Sequence, residues 1–387
     1  MHIAAISYFY HPIVNGVVAT IDDWKQEAQK QGATYVVIAP HLVGEKPEPD
    51  VVRFPSLSIL RRVGITVPWF PEQMVERELR KRTIDVIHVH HPFFLGSLAI
   101  RMGKRLGVPV VFTYHTRYSE YAKSYLPFIP GTIVDRVVER SVTSFVNQCQ
   151  VVTVALPTLK KELLAQGVKT PISVVPIGVD TTRFARGNGG KIRTTLRIPK
   201  DDPVILYVGR IAQEKNIFVL FDAVRTVLAR YPRAHMCWVG VGPEAGVLAQ
   251  RIASEHLTER MHLMTPGSYR DIPDYYGAGD IFISASVTET FGRVFVEAMA
   301  AGLPVVAART PTIGDVIENN RTGIIVPDNS PEDFANALTR LLADRALAKR
   351  LGSEAALRAK TQFDVSVSWQ ALARVYESVR RSPTDTI

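Results

Sequence analysis

Two glutamates, Glu289 and Glu297, lie eight positions apart in the stretch SASVTETFGRVFVEAMAAGLPVVAA, Ser284 to Ala308. Paired carboxylates invite an acid/base reading, which the spacing tests. On one helix, eight residues separate two side chains by about 12 Å along the axis and about 80° around it. Carboxylates that flank a single bond stand roughly 5–9.5 Å apart. One carboxylate per ligand group is the better account: Glu289 on a loop facing a reacting centre, Glu297 further into a helix reaching another hydroxyl-bearing part. The backbone N–H groups that open this helix after Phe291 and Gly292, beginning at Arg293, would cradle anionic oxygens. The ligand this implies is long, hydroxylated and phosphorylated.

Cations to match it stand earlier in the chain. Val204 to Val208 is a strand ending in Gly209-Arg210, followed by Glu214-Lys215-Asn216, so Arg210 and Lys215 fall at a strand's carboxyl edge, just before a helix. Two cations there suit a pyrophosphate. Val108 to Tyr114 is another buried strand and delivers His115 at the end where open α/β sheets bind ligands. His88 and His90 share one face of the strand Asp85 to His90; they read as loop-edge or substrate-facing histidines, since no further metal ligands can be placed with them. Gly16, after the first strand, is either a close-approach glycine or a plain turn residue. Gly240-Val241-Gly242-Pro243 resembles half a dinucleotide fingerprint, but its third glycine is misplaced.

These residues need a scaffold of alternating strands and helices. Ile3 to Ser7, a glycine-containing loop, a helix over Val17 to Gln31 and a strand from Tyr35 to Ala39 start one such series, and Val204 to Val208 starts a second. The fold class expected is α/β with two Rossmann-like domains. The first covers 1–180, the polar glycine-containing stretch 181–202 is a linker, 203–362 is the second domain, and 363–387 carries a final amphipathic helix with Trp369, Leu372 and Tyr376. Between Leu57 and Arg82, apolar and aromatic residues interleave with Arg61, Arg62, Arg77, Arg80, Lys81 and Arg82. That is the composition of a segment meeting an anionic membrane surface, or of a helix with a solvated basic face.

Composition narrows the classes further. A chain of 387 residues with 46% hydrophobic content supports two cores. The net charge of +9 is diffuse: residues 1–180 hold 20 Lys/Arg against 15 Asp/Glu. Nucleic acid favours a concentrated basic stripe, so no nucleic-acid partner is expected. Cys149 and Cys237 are far apart, which gives neither a disulfide framework nor a zinc site and makes both small buried hydrophobes. The start MHIAAISYFY enters a strand-like run without a basic leader, and no apolar run approaches 18 residues, so a cytoplasmic protein that does not span a membrane is expected.

Taken together, Asn15-Gly16-Val17-Val18, His115-Thr116, Gly209-Arg210 with Glu214-Lys215, Gly240 to Glu244, and the Glu289 to Glu297 stretch with its EAMAAGLPVVA tail resemble the family 4 retaining glycosyltransferases of GT-B fold. The resemblance covers nearly the whole chain. It implies two Rossmann-like domains facing each other across a cleft, a nucleotide sugar held mainly by the second, and a last helix crossing back to the first. Arg210 and Lys215 would grip the diphosphate, helped by Gly16 and the backbone at Phe291, Gly292 and Arg293. Glu297 would bind ribose hydroxyls, Glu289 would face the donor sugar, and His115 would contact that sugar near the reacting centre. A UDP-sugar is the implied donor ahead of a GDP-sugar. With no Asp-x-Asp triplet in the chain, the cations would replace an essential metal.

A narrower resemblance, to the diacylglycerol glucosyltransferases, rests on PIVNGVVAT, on HTRYSEYAKSY after His115, and on the Leu57 to Arg82 segment. It implies transfer of glucose from UDP-glucose to a lipid acceptor, 1,2-diacylglycerol, by an enzyme peripheral to the inner face of the cell membrane. Phe291 departs from the Gln of some glucolipid synthases, which bears on the acceptor and not on the transfer. The alternatives are a phosphatidylinositol, sulfolipid-type or soluble acceptor, and a non-catalytic nucleotide-sugar-binding protein.

Overall fold

The computed structural model describes residues 1–13, 15–42, 46–60, 65–68, 71–125 and 129–380. In chain order the first stretch of elements is β1 (His2–Ile6), α1 (Gly16–Lys30), β2 (Thr34–Pro40), β3 (Val51–Phe54), β4 (Ser56–Leu60), β5 (Ile65–Pro68), α2 (Pro71–Lys81), β6 (Val86–Val89), α3 (Phe94–Leu106), β7 (Val110–Tyr114), α4 (Tyr118–Tyr125), α5 (Gly131–Val146), β8 (Val151–Val154), α6 (Pro157–Ala165) and β9 (Ile172–Val174). There follow α7 (Thr181–Ala185), α8 (Gly189–Thr195), β10 (Val204–Val208), α9 (Ile217–Arg230), β11 (His235–Val239), α10 (Ala245–Ser254), β12 (Met261–Met264), α11 (Ile272–Ala278), β13 (Ile281–Ser284), α12 (Arg293–Ala300), β14 (Val305–Ala308), α13 (Ile313–Val316), β15 (Gly323–Val326), α14 (Pro331–Ala343), α15 (Arg345–Gln362) and α16 (Val365–Val379).

Contacts divide the chain into two compact units, Met1–Gly178 with Val365–Ile387, and Val179–Asp364. The first holds a parallel sheet in the order β3-β2-β1-β6-β7-β8-β9, the second a parallel sheet in the order β12-β11-β10-β13-β14-β15. Both orders reverse direction after their first strand, which is the doubly wound Rossmann pattern. The strand sequences explain the choice. VILYV of β10 and VVFTY of β7 are buried at every position, as strands covered by helices on both faces must be. Asn15 starts α1, its side chain accepting from the Val18 N–H at 2.9 Å.

The last helix belongs to the first unit. α16 puts Trp369, Leu372 and Tyr376 into a core with Trp24, Tyr35 and Val37, and Trp24 Nε1 donates to Ser368 Oγ at 2.8 Å. Each such side chain removed from water contributes about 1.5–3 kcal/mol, enough for three anchors to dock a helix. Cys149 and Cys237 are buried among apolar groups, which pushes both thiols up to about 12.

One expectation is corrected here. The stretch 181–202 is no linker: α7 and α8 pack on α11 inside the second unit. A Cβ on Gly187 would sit 1.9 Å from the Pro273 carbonyl oxygen and one on Gly189 2.0 Å from that of Gly277, so these glycines serve close backbone approach instead of flexibility. In and just after α2 the cations are largely spent on neighbouring carboxylates, Arg80 on Glu76, Lys81 and Arg82 on Glu78, while Glu72 and Glu76 also meet Arg101 and Arg105, which suits the second reading of this segment, a helix with a solvated charged face. Residues 61–64 and 69–70 of the expected interfacial segment lie outside the described residues.

Candidate active site

In the second sheet the order reverses between the adjacent strands β10 and β13, and ligands bind in the crevice at the carboxyl ends of such a pair. The loops that leave these two strands carry the expected residues. Asn216, at φ 50°, turns the β10 loop into α9 and ties it to the neighbouring loop, its side chain donating to the Ala285 carbonyl at 3.0 Å. Lys215 Nζ meets Glu289 Oε1 at 2.5 Å and Ser286 Oγ at 3.3 Å. Glu289 is held from the far side, where the Thr312 hydroxyl donates to its carbonyl oxygen at 3.2 Å. Arg210 is exposed at the same edge, its guanidinium 3.3 Å from Glu214. Lys215 and Glu289 are thus in contact, and Arg210 leaves the carboxyl end of the same strand as Lys215.

Gly292 has φ +75° and a Cβ there would fall 2.4 Å from the Phe295 ring, so only glycine makes the turn that opens α12. Its N-cap, Gly292, has no side chain to cap it. Its N-terminus therefore presents a partial positive charge beside the same loop. Phe291 is buried against Phe363, at 5.8 Å between ring centroids, and can offer a ligand backbone alone.

Glu297 and Arg293 differ from expectation. They form a salt bridge at 3.0 Å along one face of α12, and Glu297 is 3% exposed. Its carboxylate also accepts from the hydroxyls of Tyr269 at 2.7 Å and Tyr276 at 3.0 Å. Burial and the adjacent carboxylate hold the Tyr276 phenol well above its ordinary range. In place of a carboxylate open to a ribose there is a buried node, hydrogen-bonded at both oxygens, that fixes Arg293 and Tyr269. The fingerprint-like glycines that follow β11 have a packing role as well, since Cβ atoms on Gly240 and Gly242 would meet the carbonyl oxygens of Gly209 and Ile211 at 1.8 and 2.1 Å.

In the first unit the reversal falls between β1 and β6. Asn15 caps α1 here and Gly16 is its first residue, with open space where its Cβ would be. His115 follows β7 as expected, but it does not stand alone: its Nε2 is 2.9 Å from His90 Nδ1, the rings 25° from parallel. His88 is corrected from a substrate-facing histidine to a core one, bonded to Tyr376 Oη and Thr113 Oγ1, each at 2.6 Å. Burial lowers its pKa to about 3 and drives His90 and His115 well below their ordinary value. The sequence reading also passed over His11, which lies between Asp22 at 2.7 Å and Glu48 at 2.9 Å. The hydrogen bond to Asp22 is the main reason its pKa rises to about 9. Among the described residues, no group of three or more His, Cys, Asp or Glu is placed to hold a metal, and no helix is long and apolar enough to cross a membrane.

Two family models match in tandem, Glycosyltransferase Family 4 over residues 14–183 and Glycosyl transferases group 1 over residues 190–358. The D-inositol 3-phosphate glycosyltransferase 2 of Catenulispora acidiphila is 31% identical, the match covering 76% of this chain and 70% of that one. This chain belongs to the family 4 glycosyltransferases. Within the family it is similar to the glycolipid synthases: the alpha-monoglucosyldiacylglycerol synthase of Acholeplasma laidlawii is 26% identical over 93% of both chains. In fold, Anabaena HepE in complex with UDP-glucose superposes with a TM-score of 0.78 at 19% identity, over 98% of this chain and 100% of that one. The glycosyltransferase is thus an α/β protein of the GT-B class, built on two Rossmann-like sheets.

Proposed function

We propose that this glycosyltransferase is a retaining hexosyltransferase that moves glucose from UDP-glucose onto 1,2-diacylglycerol, held peripherally on the inner face of the cell membrane. The observation that carries this reading is the likeness to the Acholeplasma synthase over 93% of both chains, so that it runs through the first unit, where acceptors differ, as well as the second. As the glycosidic C–O bond lengthens, negative charge grows on the leaving diphosphate. Arg210, Lys215 and the N-terminus of α12, at Gly292 and Arg293, stabilise that charge with groups already in place, so no metal is required. Lys215 exchanges its Glu289 partner for phosphate, and Glu289 turns to the donor sugar. Glu297 serves the ribose through the node it forms with Tyr269 and Arg293, while Gly16 and the Phe291 backbone leave room for the diphosphate. His115, in the first unit, donates to a hydroxyl of the transferred sugar.

Support for a membrane surface comes from α5 more than from α2. Ile133 and Val137, 52% and 62% exposed, share a face with Arg136 and Arg140, which are in no ion pair among the described residues. Apolar side chains flanked by unpaired cations suit the boundary of an anionic bilayer.

The test is transfer of radiolabelled glucose from UDP-glucose to diacylglycerol in anionic vesicles. Arg210→Ala and Lys215→Ala should each lose on the order of 100-fold or more in kcat, about 2.7 kcal/mol of transition-state stabilisation, with unchanged circular dichroism. Full activity in either variant sinks the assignment. A second reading, the same chemistry on an inositol phosphate, is favoured by the 31% identity to the Catenulispora enzyme. Transfer to inositol phosphate and none to diacylglycerol would select it.

A further inference from the structure

His90 follows β6 and His115 follows β7, and because the two strands are hydrogen-bonded neighbours the two imidazoles meet beyond their carboxyl ends. The pair lies under Trp24, whose ring is 6.1 Å from His90 and 6.4 Å from His115. His90 is 0% exposed, and His115, at 9%, holds all the surface the pair presents. The contact of 2.9 Å joins His90 Nδ1 to His115 Nε2, leaving one outer nitrogen on each ring. His90 Nε2 is buried with no hydrogen-bond partner. His115 Nδ1 has none among the described residues.

With no carboxylate among the groups acting on either ring, both imidazoles are neutral, and a single proton lies between them. Two arrangements satisfy the contact. If His115 donates from Nε2, the proton of His90 must sit on Nε2, a buried N–H with no acceptor. If His90 donates from Nδ1, what remains buried at Nε2 is a bare lone pair. Buried N–H donors without an acceptor are rare in folded proteins, and the second arrangement buries none. The second arrangement therefore prevails, and it forces the proton of His115 onto Nδ1.

We infer that His90 is a positioning residue that locks His115 in its Nδ1–H tautomer, making His115 a fixed hydrogen-bond donor to a hydroxyl oxygen of the transferred sugar and denying it the role of a base. The inference rests on the reading of His115 as a sugar contact and adds what sets its polarity.

The wild-type protein, labelled with nitrogen-15 at histidine, supplies a test independent of activity. Long-range proton–nitrogen correlation should show His115 protonated at Nδ1 and bare at Nε2; the opposite pattern overturns the inference. Substitutions at His90 then test the cause. The Asn amide nitrogen occupies the place of His Nδ1, whereas the Gln nitrogen reaches the place of Nε2. His90→Asn should preserve the His115 tautomer and keep kcat within about threefold. His90→Gln and His90→Phe should release the tautomer and lower kcat about tenfold, with the KM for donor little changed. Equal losses in the Asn and Gln variants overturn the lock. A tautomer that changes as expected while transfer is unaffected upholds it and removes His115 from the transfer mechanism.

Discussion

Glu289→Gln should tighten nucleotide binding while it stops transfer. Lys215 Nζ lies 2.5 Å from Glu289 Oε1, the side chains 21% and 22% exposed, so an arriving diphosphate must compete with a carboxylate for the cation. Exposed ion pairs are worth about 0.2–1 kcal/mol. Breaking a fully buried one costs about 3–5 kcal/mol. A pair exposed by a fifth falls between, at about 1–2 kcal/mol, which converts to a Kd for UDP roughly 5–30-fold lower once the amide has removed the competitor. Transfer falls in the same variant because the group assigned to the donor sugar has lost its charge. Calorimetric titration of UDP into both proteins measures the first effect, and the vesicle assay measures the second. The control is a cycle with Lys215→Met, in whose background Glu289→Gln should bring no gain. Weaker or unchanged UDP binding by Glu289→Gln refutes the competition, and with it the idea that Lys215 is handed from carboxylate to phosphate.

Acid should unfold the first unit early. His88, with its pKa lowered to about 3, and His90 and His115, both pushed well below their ordinary value, are neutral in the fold, so their stabilisation is complete above about pH 6.5 and is lost as pH falls below it. Each contributes a slope of up to about 1.4 kcal/mol per pH unit, about 4 for the three, which exhausts a domain stability of about 5–10 kcal/mol between roughly pH 4 and 5. His88→Gln should reduce proton uptake on unfolding by about one, and an unchanged slope would count against the buried-histidine account. His11 has the opposite sign: its raised pKa of about 9 means stabilisation present below about pH 6.5 and lost as pH rises through 9. The gap in melting temperature between wild type and His11→Asn should accordingly close between pH 6.5 and 10, and a gap that stays constant would contradict it. Val137→Glu should weaken flotation with anionic vesicles several-fold and leave UDP affinity intact; undiminished flotation would move the membrane surface elsewhere.

What could be read from the sequence and what could not divides along contact range. The strands were legible because a parallel strand covered on both faces has to be an unbroken apolar run, and Val204 to Val208 or Val110 to Tyr114 admit little else. Arg210, Lys215 and Glu289 are legible as groups for one phosphorylated ligand. The direct ion pair of Lys215 with Glu289 is not, because it depends on β10 lying next to β13, and the two are 74 positions apart. Gly187 and Gly189 misled for the same reason. A glycine in a polar stretch looks like freedom until the Pro273 and Gly277 carbonyls, more than 80 positions on, occupy the space of its Cβ. One missed contact did leave a local signal: Arg293 and Glu297 are four apart on a helix, a spacing that pairs opposite charges, so Glu297 could have been read as engaged.

The same division explains why the candidate site carries its own occupants. Lys215 is paired with Glu289, Glu297 with Arg293 and two phenols, and His115 with His90. A buried or half-buried charge left without a partner would cost several kcal/mol, so the fold satisfies these groups internally. The three pairings differ in how a ligand can use them. The lysine pair is partly exposed and can be exchanged, the glutamate node is closed and can only orient Tyr269 and Arg293, and the histidine pair leaves one nitrogen free on the side that meets solvent. Substrate affinity should therefore respond most to changes at Glu289, while changes at Tyr276 or His90 should act on turnover through the groups they hold in place.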